Sequence, residues 1–164
     1  MSKRFNLREF QQEVLDKLQA QATSGKQIST LGIQIGAENW LVDMADIGEV
    51  LPPPALTAVP LTQDWFCGVA NVRGNLCSVV DLAAFMQQAA TPREARNRVL
   101  LLNARFGFNT GLLVSQVLGL RDSQSWQLQT AQDNSFLLDE EGAVWHKLDI
   151  ETLINQPEFL QISV

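Results

Sequence analysis

Apolar and polar residues alternate in two neighbouring segments near the start of the chain. The apolar positions are Leu31, Ile33 and Ile35 in the first segment and Trp40, Val42 and Met44 in the second. A period of two places alternate side chains on one face of a β-strand. Residues 36–39 include glycine and asparagine and separate the segments, so the pattern predicts a hairpin.

A second hairpin is predicted from Phe66 to Val80, with its turn at Arg73-Gly74-Asn75. The segment 52–54 before it consists of three prolines, which favour an extended connection. Asp81 follows the hairpin and precedes a run of good helix formers. We therefore expect Asp81 to cap a short helix.

The second half of the chain repeats this arrangement of strands and turns. Strands are predicted near residues 98–102 and 125–130, a hairpin over 136–148 and a short helix from Asp149 to about Asn155. Residues 114–120 carry apolar side chains at the same three places as residues 44–50. This similarity indicates two related β units, which we expect to join near Pro92.

The N-terminal segment shows helical periodicity over residues 7 to about 22. Its apolar positions are Leu7, Phe10, Val14 and Leu18, which share one face of a helix. Asn6 and Glu9 are spaced as a capping box. The apolar face either packs on the body of the protein or contacts a partner, and the first alternative is favoured.

Composition and charge exclude several classes of function. The chain has 164 residues and a net charge of -6, which argues against binding to nucleic acid or to anionic lipid. Its sequence contains no apolar run long enough for a membrane span. Cys67 and Cys77 are predicted to be buried thiols of a reducing compartment, and the expected location is the cytoplasm.

The residues available for catalysis or metal binding are few. His146 is the only histidine. Asp43, Asp46 and Glu49 are spaced like metal ligands, but carboxylates at this spacing more often line the solvent side of a turn. Residues 139–141 are acidic without the alternating oxygen ligands of a calcium loop. We therefore predict a protein that is not an enzyme and holds neither a metal nor a cofactor.

Arg73 lies within a largely apolar stretch, Gly68-Val-Ala-Asn-Val-Arg-Gly74. A guanidinium group cannot be buried there without a partner. The predicted hairpin therefore displays Arg73 at the surface on a stiff support. A structural role would require an ion pair, for which Glu49 and Asp81 are the candidates.

Several motifs resemble the CheW-like family, the adaptor proteins of bacterial chemosensory arrays. The matching segments are Leu31 to Gly36, Ile47-Gly-Glu-Val-Leu51, Ala58-Val-Pro60, Gly68 to Gly74, Val79-Val-Asp81-Leu82 and Gly111-Leu-Leu-Val-Ser-Gln-Val-Leu. Further segments are similar to the twitching-motility branch of the family, the PilI-type proteins. These are Leu7-Arg-Glu-Phe10, Trp65-Phe-Cys-Gly68 and Ser78 to Phe85.

The resemblance implies a mainly β fold of two small five-stranded SH3-like β barrels packed side by side, with short connecting helices. It divides the chain into residues 1–27 (N-terminal helix and lead-in), 28–155 (CheW-like domain) and 156–164 (C-terminal tail). The two β subdomains are expected at about 28–90 and 98–148.

The family also implies function and partners. Such adaptors bind the regulatory domain of a CheA-like histidine kinase and the cytoplasmic tip of a methyl-accepting chemoreceptor, here in type IV pilus twitching motility. Flagellar chemotaxis is the alternative, and a small-molecule-binding β domain with Trp40, Trp65 and Phe66 lining a pocket is an alternative of another class. The expected interaction residues are Asn71, Val72, Arg73, Gly74, Glu49 and Asp81.

Overall fold

The computed structural model describes residues 30–164, together with Gln12. Apart from Gln12, the helix predicted over residues 7 to about 22 lies outside the described residues. The described strands are β1 Thr30–Ile35, β2 Glu38–Asp43, β3 Ile47–Leu51, β4 Phe66–Val72, β5 Asn75–Asp81, β6 Arg98–Leu102, β7 Thr110–Val114, β8 Gln116–Arg121, β9 Gln127–Ala131, β10 Asn134–Leu138 and β11 Val144–Leu148. The described α-helices are α1 Leu82–Phe85, α2 Ile150–Ile154 and α3 Pro157–Leu160.

The strands form two sheets, so the prediction of a mainly β fold is confirmed. One sheet has six strands in the order β8-β1-β2-β11-β10-β9, and we call it sheet A. The other, sheet B, has five strands in the order β3-β6-β7-β5-β4. Each sheet combines antiparallel hairpins with one parallel pair, β2 with β11 in sheet A and β7 with β5 in sheet B.

The two sheets repeat one arrangement, which agrees with the similarity between the two halves of the sequence. In each sheet an antiparallel hairpin (β1–β2 or β6–β7) pairs in parallel with the last strand of a second hairpin (β10–β11 or β4–β5). A short helix follows that last strand in both cases, α2 after β11 and α1 after β5.

The sheets nevertheless divide the chain differently from the expected subdomains, 28–90 and 98–148. After β2 the chain passes through the 3-10 helical turn Met44–Asp46 into β3, which is the edge strand of sheet B. After β7 it passes through Ser115 alone into β8, the edge strand of sheet A. At both connections the chain crosses from one sheet to the other, so each first hairpin donates the next strand to the other sheet.

Instead of the two five-stranded barrels implied by the resemblance, the structure has two open sheets, one with six strands and one with five. In these strand orders each sheet has two edge strands, so no closed ring of paired strands forms among the described residues. In sheet B the segment after β3 reaches the far edge, where Thr57 and Val69 of β4 exchange two backbone hydrogen bonds of 2.8 and 2.9 Å. This contact brings the two edges of sheet B close together.

The hydrophobic core is shared by both sheets and by the helices. Its members are buried side chains with relative exposures of 9% or less, among them Leu31, Ile33, Ile35, Leu100, Leu112, Val114, Ile150 and Leu153. The alternating pattern of β1 thus points its apolar residues inward, as predicted. Burial of each such side chain stabilises the fold by about 1.5–3 kcal/mol.

Asp81 caps α1 as predicted and is buried, with a relative exposure of 5%. Its Oδ1 atom accepts hydrogen bonds from the backbone N–H of Ala83 at 3.1 Å and from the Thr91 hydroxyl at 2.7 Å. Its Oδ2 atom accepts from the backbone N–H of Thr91 at 2.8 Å. One carboxylate therefore fixes both the start of α1 and the loop that follows it.

We expect Asp81→Ala to lower the free energy of unfolding by about 3 kcal/mol, because it removes a helix cap and leaves buried donors unsatisfied. Asp149 is the matched control, since it caps α2 in the other unit through one 3.2 Å bond from the Thr152 N–H. Asp149→Ala should cost about 1 kcal/mol. Urea denaturation measures both, and equal losses would contradict the central role assigned to Asp81.

Gly68 is required where β4 passes under the segment that contains Thr57. Its φ angle is +131°, and a Cβ atom there would lie 2.4 Å from the Thr57 carbonyl oxygen. Gly74 also has a positive φ angle, +83°, but a Cβ atom on it would meet nothing within 4 Å.

We expect Gly68→Ala to cost about 2–4 kcal/mol of stability, because backbone strain adds to a clash with main-chain atoms. Gly74→Ala should cost about 1 kcal/mol, from the φ angle alone. Thermal unfolding of the two variants tests this order. A Gly68→Ala variant as stable as Gly74→Ala would show that the Thr57 segment moves aside without cost.

Candidate interaction surface

Arg73 lies at the tip of the β4–β5 hairpin, in the turn predicted from the sequence. Both central residues of the turn, Arg73 and Gly74, have positive φ angles of +52° and +83°. This backbone suits the right-handed twist of a two-residue hairpin. The Asn71 side chain braces the turn, because its Oδ1 atom accepts a 2.8 Å hydrogen bond from the Gly74 N–H. The position of Arg73 is therefore fixed by its neighbours.

The Arg73 side chain is exposed and paired with Glu49. Its Nη2 atom lies 2.5 Å from Glu49 Oε1, and the side-chain exposures are 74% for Arg73 and 32% for Glu49. Glu49 belongs to β3, at the opposite end of the strand order from the hairpin, so the pair spans the curled sheet B. An exposed pair of this kind contributes about 0–1 kcal/mol to stability.

A cleft of about 180 Å³ lies beside this ion pair. Val72, Cys77, Leu101 and Phe108 give it apolar walls, and the Phe108 side chain remains partly exposed. The arrangement places a positive group next to a small apolar depression. A partner could fill it with an apolar side chain and bring a hydrogen-bond acceptor to the guanidinium group.

The structure brings five of the six predicted interaction residues together. Asn71, Val72, Arg73 and Gly74 form the end of the hairpin, and Glu49 joins them from β3. Asp81 does not join them, because it lies at the other end of β5 and its oxygens are bound inside the protein. We call the group of five, together with Phe108, the Arg73 surface.

Phe108 is the residue of this surface that the sequence did not indicate. Its segment, residues 106–111, contains two glycines and an asparagine, which indicate a turn but not an interaction site. Its place in the cleft depends on the pairing of β7 with β5, which sets the loop before Thr110 beside the hairpin. No local pattern in the sequence reports that pairing.

The three carboxylates spaced like metal ligands have separate structural roles. Asp43 accepts a hydrogen bond from the Ala45 N–H, Asp46 pairs with Arg105 and Glu49 pairs with Arg73. Burial raises the pKa of Asp46 despite this arginine. Residues 30–164 contain no group of three His, Cys, Asp or Glu side chains that could hold a metal ion.

A second, larger depression of about 910 Å³ lies where α1, α2 and α3 meet. Trp65, Phe85 and Phe159 form an aromatic cluster there, with ring centroids 5.1–6.2 Å apart. Trp40 also lines this groove, whereas Phe66 is a core residue with 9% exposure and does not. The pocket expected from Trp40, Trp65 and Phe66 therefore contains two of the three.

Both cysteines are free thiols. Cys77 is buried, and Cys67 is half-buried beside Asp81. Burial, together with the Asp81 carboxylate, raises the pKa of the Cys67 thiol to about 11. The thiol therefore stays protonated and weakly nucleophilic at neutral pH. Among the described helices, none has the length and apolar character needed to cross a bilayer.

Comparisons with known proteins identify relatives of this chain. A family model described as the CheW-like domain matches residues 29–158. Protein PilI of Pseudomonas aeruginosa is 35% identical over 104 residues, which cover 63% of this chain and 58% of PilI. The chain thus matches less than two thirds of the length of PilI. Chemotaxis protein CheW of Klebsiella aerogenes is 24% identical over 139 residues, covering 79% of this chain and 82% of that protein.

A solved structure has the same fold. The scaffolding protein TtCheW from Thermoanaerobacter tengcongensis superposes with a TM-score of 0.64 at 19% sequence identity. The superposition covers 79% of this chain and 93% of TtCheW. At this level of identity the likeness extends to the fold, that is, to the paired sheets.

Proposed function

The chain belongs to the CheW-like family, and we propose that it is a non-catalytic adaptor that couples methyl-accepting chemoreceptors to a CheA-like histidine kinase. Similarity to PilI supports a place in type IV pilus twitching motility, in the cytoplasm. Similarity to a chemotaxis CheW protein supports the flagellar alternative. The adaptor holds receptor and kinase in one assembly, so a small displacement of the receptor changes the output of the kinase.

The observation that carries this proposal is the geometry of Arg73. Its guanidinium group is exposed, on a turn braced by Asn71, while its ion pair with Glu49 contributes little to stability. The guanidinium group has five N–H donors, and Glu49 accepts from one of its amino groups. A receptor tip that offers a carboxylate or carbonyl group can bind the remaining donors. Its apolar side chains can enter the adjacent cleft.

Receptor binding tests this assignment directly. We expect Arg73→Glu to weaken binding of a receptor cytoplasmic fragment by about tenfold or more, as for an arginine at the centre of an interface. The variant should unfold at the same urea concentration as the unchanged protein, because an exposed substitution costs little stability. Biosensor titration and urea denaturation supply the two measurements.

Arg96→Glu is the matched control for this experiment. Arg96 is also exposed and also pairs with a nearby glutamate, Glu94, but it lies in the loop before β6. It should bind the receptor fragment as the unchanged protein does. If Arg73→Glu and Arg96→Glu behave alike, Arg73 is not part of the receptor site. If the unchanged protein binds no receptor fragment, the adaptor proposal itself fails.

The coupling function and the pathway need separate measurements. Kinase autophosphorylation should respond to receptor fragments only when the chain is present. Fragments of pilus-associated and flagellar receptors, titrated in parallel, distinguish the two pathways by their affinity. If kinase autophosphorylation responds equally to receptor fragments without the chain, the chain does not couple receptor to kinase.

The small-molecule alternative depends on the groove lined by Trp40 and Trp65. A metabolite that occupied it would raise the unfolding temperature by an amount that grows with the logarithm of its concentration once that concentration exceeds the dissociation constant. A thermal-shift screen therefore separates this alternative from the adaptor function. A screen without a stabilising compound would argue against this alternative.

A further inference from the structure

The groove between the helices lies far from the Arg73 surface, at the opposite end of β5. Its walls come from α1 and α2 and from the aromatic residues Trp65 and Phe85. Trp65, Phe85 and Met86 are only half-buried, so the groove presents apolar surface to its occupant. Lys147 and Asp149 stand beside these apolar walls. A volume of about 910 Å³ accommodates several large side chains.

The described chain begins close to this groove. Thr30, the first residue of β1, pairs with Asp43 at the end of β2. The neighbouring Val42 pairs with Leu148 of β11, and Leu148 and Asp149 line the groove. Thr30 is therefore two strand spacings, about 10 Å, from the groove wall. The segment that precedes Thr30 starts at the same end of sheet A.

That segment has the right sequence to fill the groove. The predicted helix over residues 7 to about 22 would be about 24 Å long and carries Leu7, Phe10, Val14 and Leu18 on one face. Residues 23–29 separate it from Thr30 and can span up to about 23 Å. The connection is long enough to reach the groove. It is also short enough to keep the helix at a high effective concentration there.

We propose that the N-terminal helix docks in this groove, with Phe10 and its apolar neighbours against the half-buried side chains of Trp65, Phe85 and Met86. The apolar face of the helix and the apolar part of the groove are joined by a short stretch of the same chain. Aromatic rings at this spacing favour edge-to-face contact with a further ring. The helix thereby covers the groove of its own molecule, and the Arg73 surface stays open.

Hydrogen exchange of the full-length chain tests the docking. Phe10→Ser removes an anchor from the apolar face, whereas Gln19→Ser makes a comparable substitution on the polar face. We expect the hydrogen-bonded amides of residues 86–88 and 153–156 to exchange about tenfold faster in Phe10→Ser and at the original rate in Gln19→Ser. Unchanged exchange at these amides in Phe10→Ser, or equal acceleration in both variants, would overturn the proposal.

A second test introduces a change on the groove side. Ala84 lies in α1 and lines the groove, so Ala84→Arg should block the docked helix and lower the unfolding temperature by a few degrees. Because both substitutions disrupt one contact, the variant that carries Phe10→Ser and Ala84→Arg should be no less stable than the worse single variant. If the losses of stability in the two single variants add fully in the double variant, the docking is contradicted.

Sedimentation distinguishes the occupant. If the helix docks within its own molecule, the sample is monomeric. The protection of the amides of residues 86–88 and 153–156 from hydrogen exchange is then independent of protein concentration. Protection that appears only together with a dimer would assign the groove to the helix of a second copy and would overturn the intramolecular arrangement.

Discussion

The two crossings of the chain between the sheets are the constraint on which the structure depends. One crossing is the turn Met44–Asp46, and the other is Ser115. Each is held by an asparagine: Asn103 Nδ2 donates to the Ala45 carbonyl at 3.2 Å, and Asn97 Nδ2 donates to the Ser115 carbonyl at 3.1 Å. The Ser115 N–H in turn donates to the Gln34 carbonyl at 2.9 Å. Backbone polar groups at the buried crossing are thereby satisfied, which lets the sheets share one core.

The same exchange of strands creates the Arg73 surface. Glu49 is on β3, a strand that the N-terminal hairpin donates to sheet B. Arg73 belongs to the β4–β5 hairpin at the other edge, and the curl of the sheet brings the two side chains to 2.5 Å. Without the donated strand, the arginine would lack its carboxylate partner Glu49, which also lines the adjacent cleft. The position of Arg73 and the fold are thus linked by topology.

The sequence predicted the features that depend on neighbouring residues. It did not predict the strand pairings between segments that are far apart in the chain. Alternating residues located the hairpins, turn-forming residues located the Arg73-Gly74 turn, and the helix formers after Asp81 identified it as a cap, because strand period, turn chemistry and capping act over a few residues. The pairing of β3 with β6 and of β8 with β1 joins segments far apart, which no local pattern encodes. Hence the exchange of β3 and β8 between the sheets and the position of Phe108 could not be foreseen. The sequence identified Asp81 as a cap. Only the structure shows that it is buried and accepts hydrogen bonds from Thr91.

Because the sheets share strands from both halves of the chain, the order of synthesis determines when each strand can find its partners. The hairpin β1–β2 leaves the ribosome early, but both of its neighbours in sheet A, β8 and β11, begin only at Gln116 and Val144. Until then its two edges carry unpaired N–H and C=O groups that can bind another nascent chain. Folding dominated by such distant pairings is slow. A newly made chain therefore passes through an interval in which self-association competes with maturation, and chaperones would act in that interval.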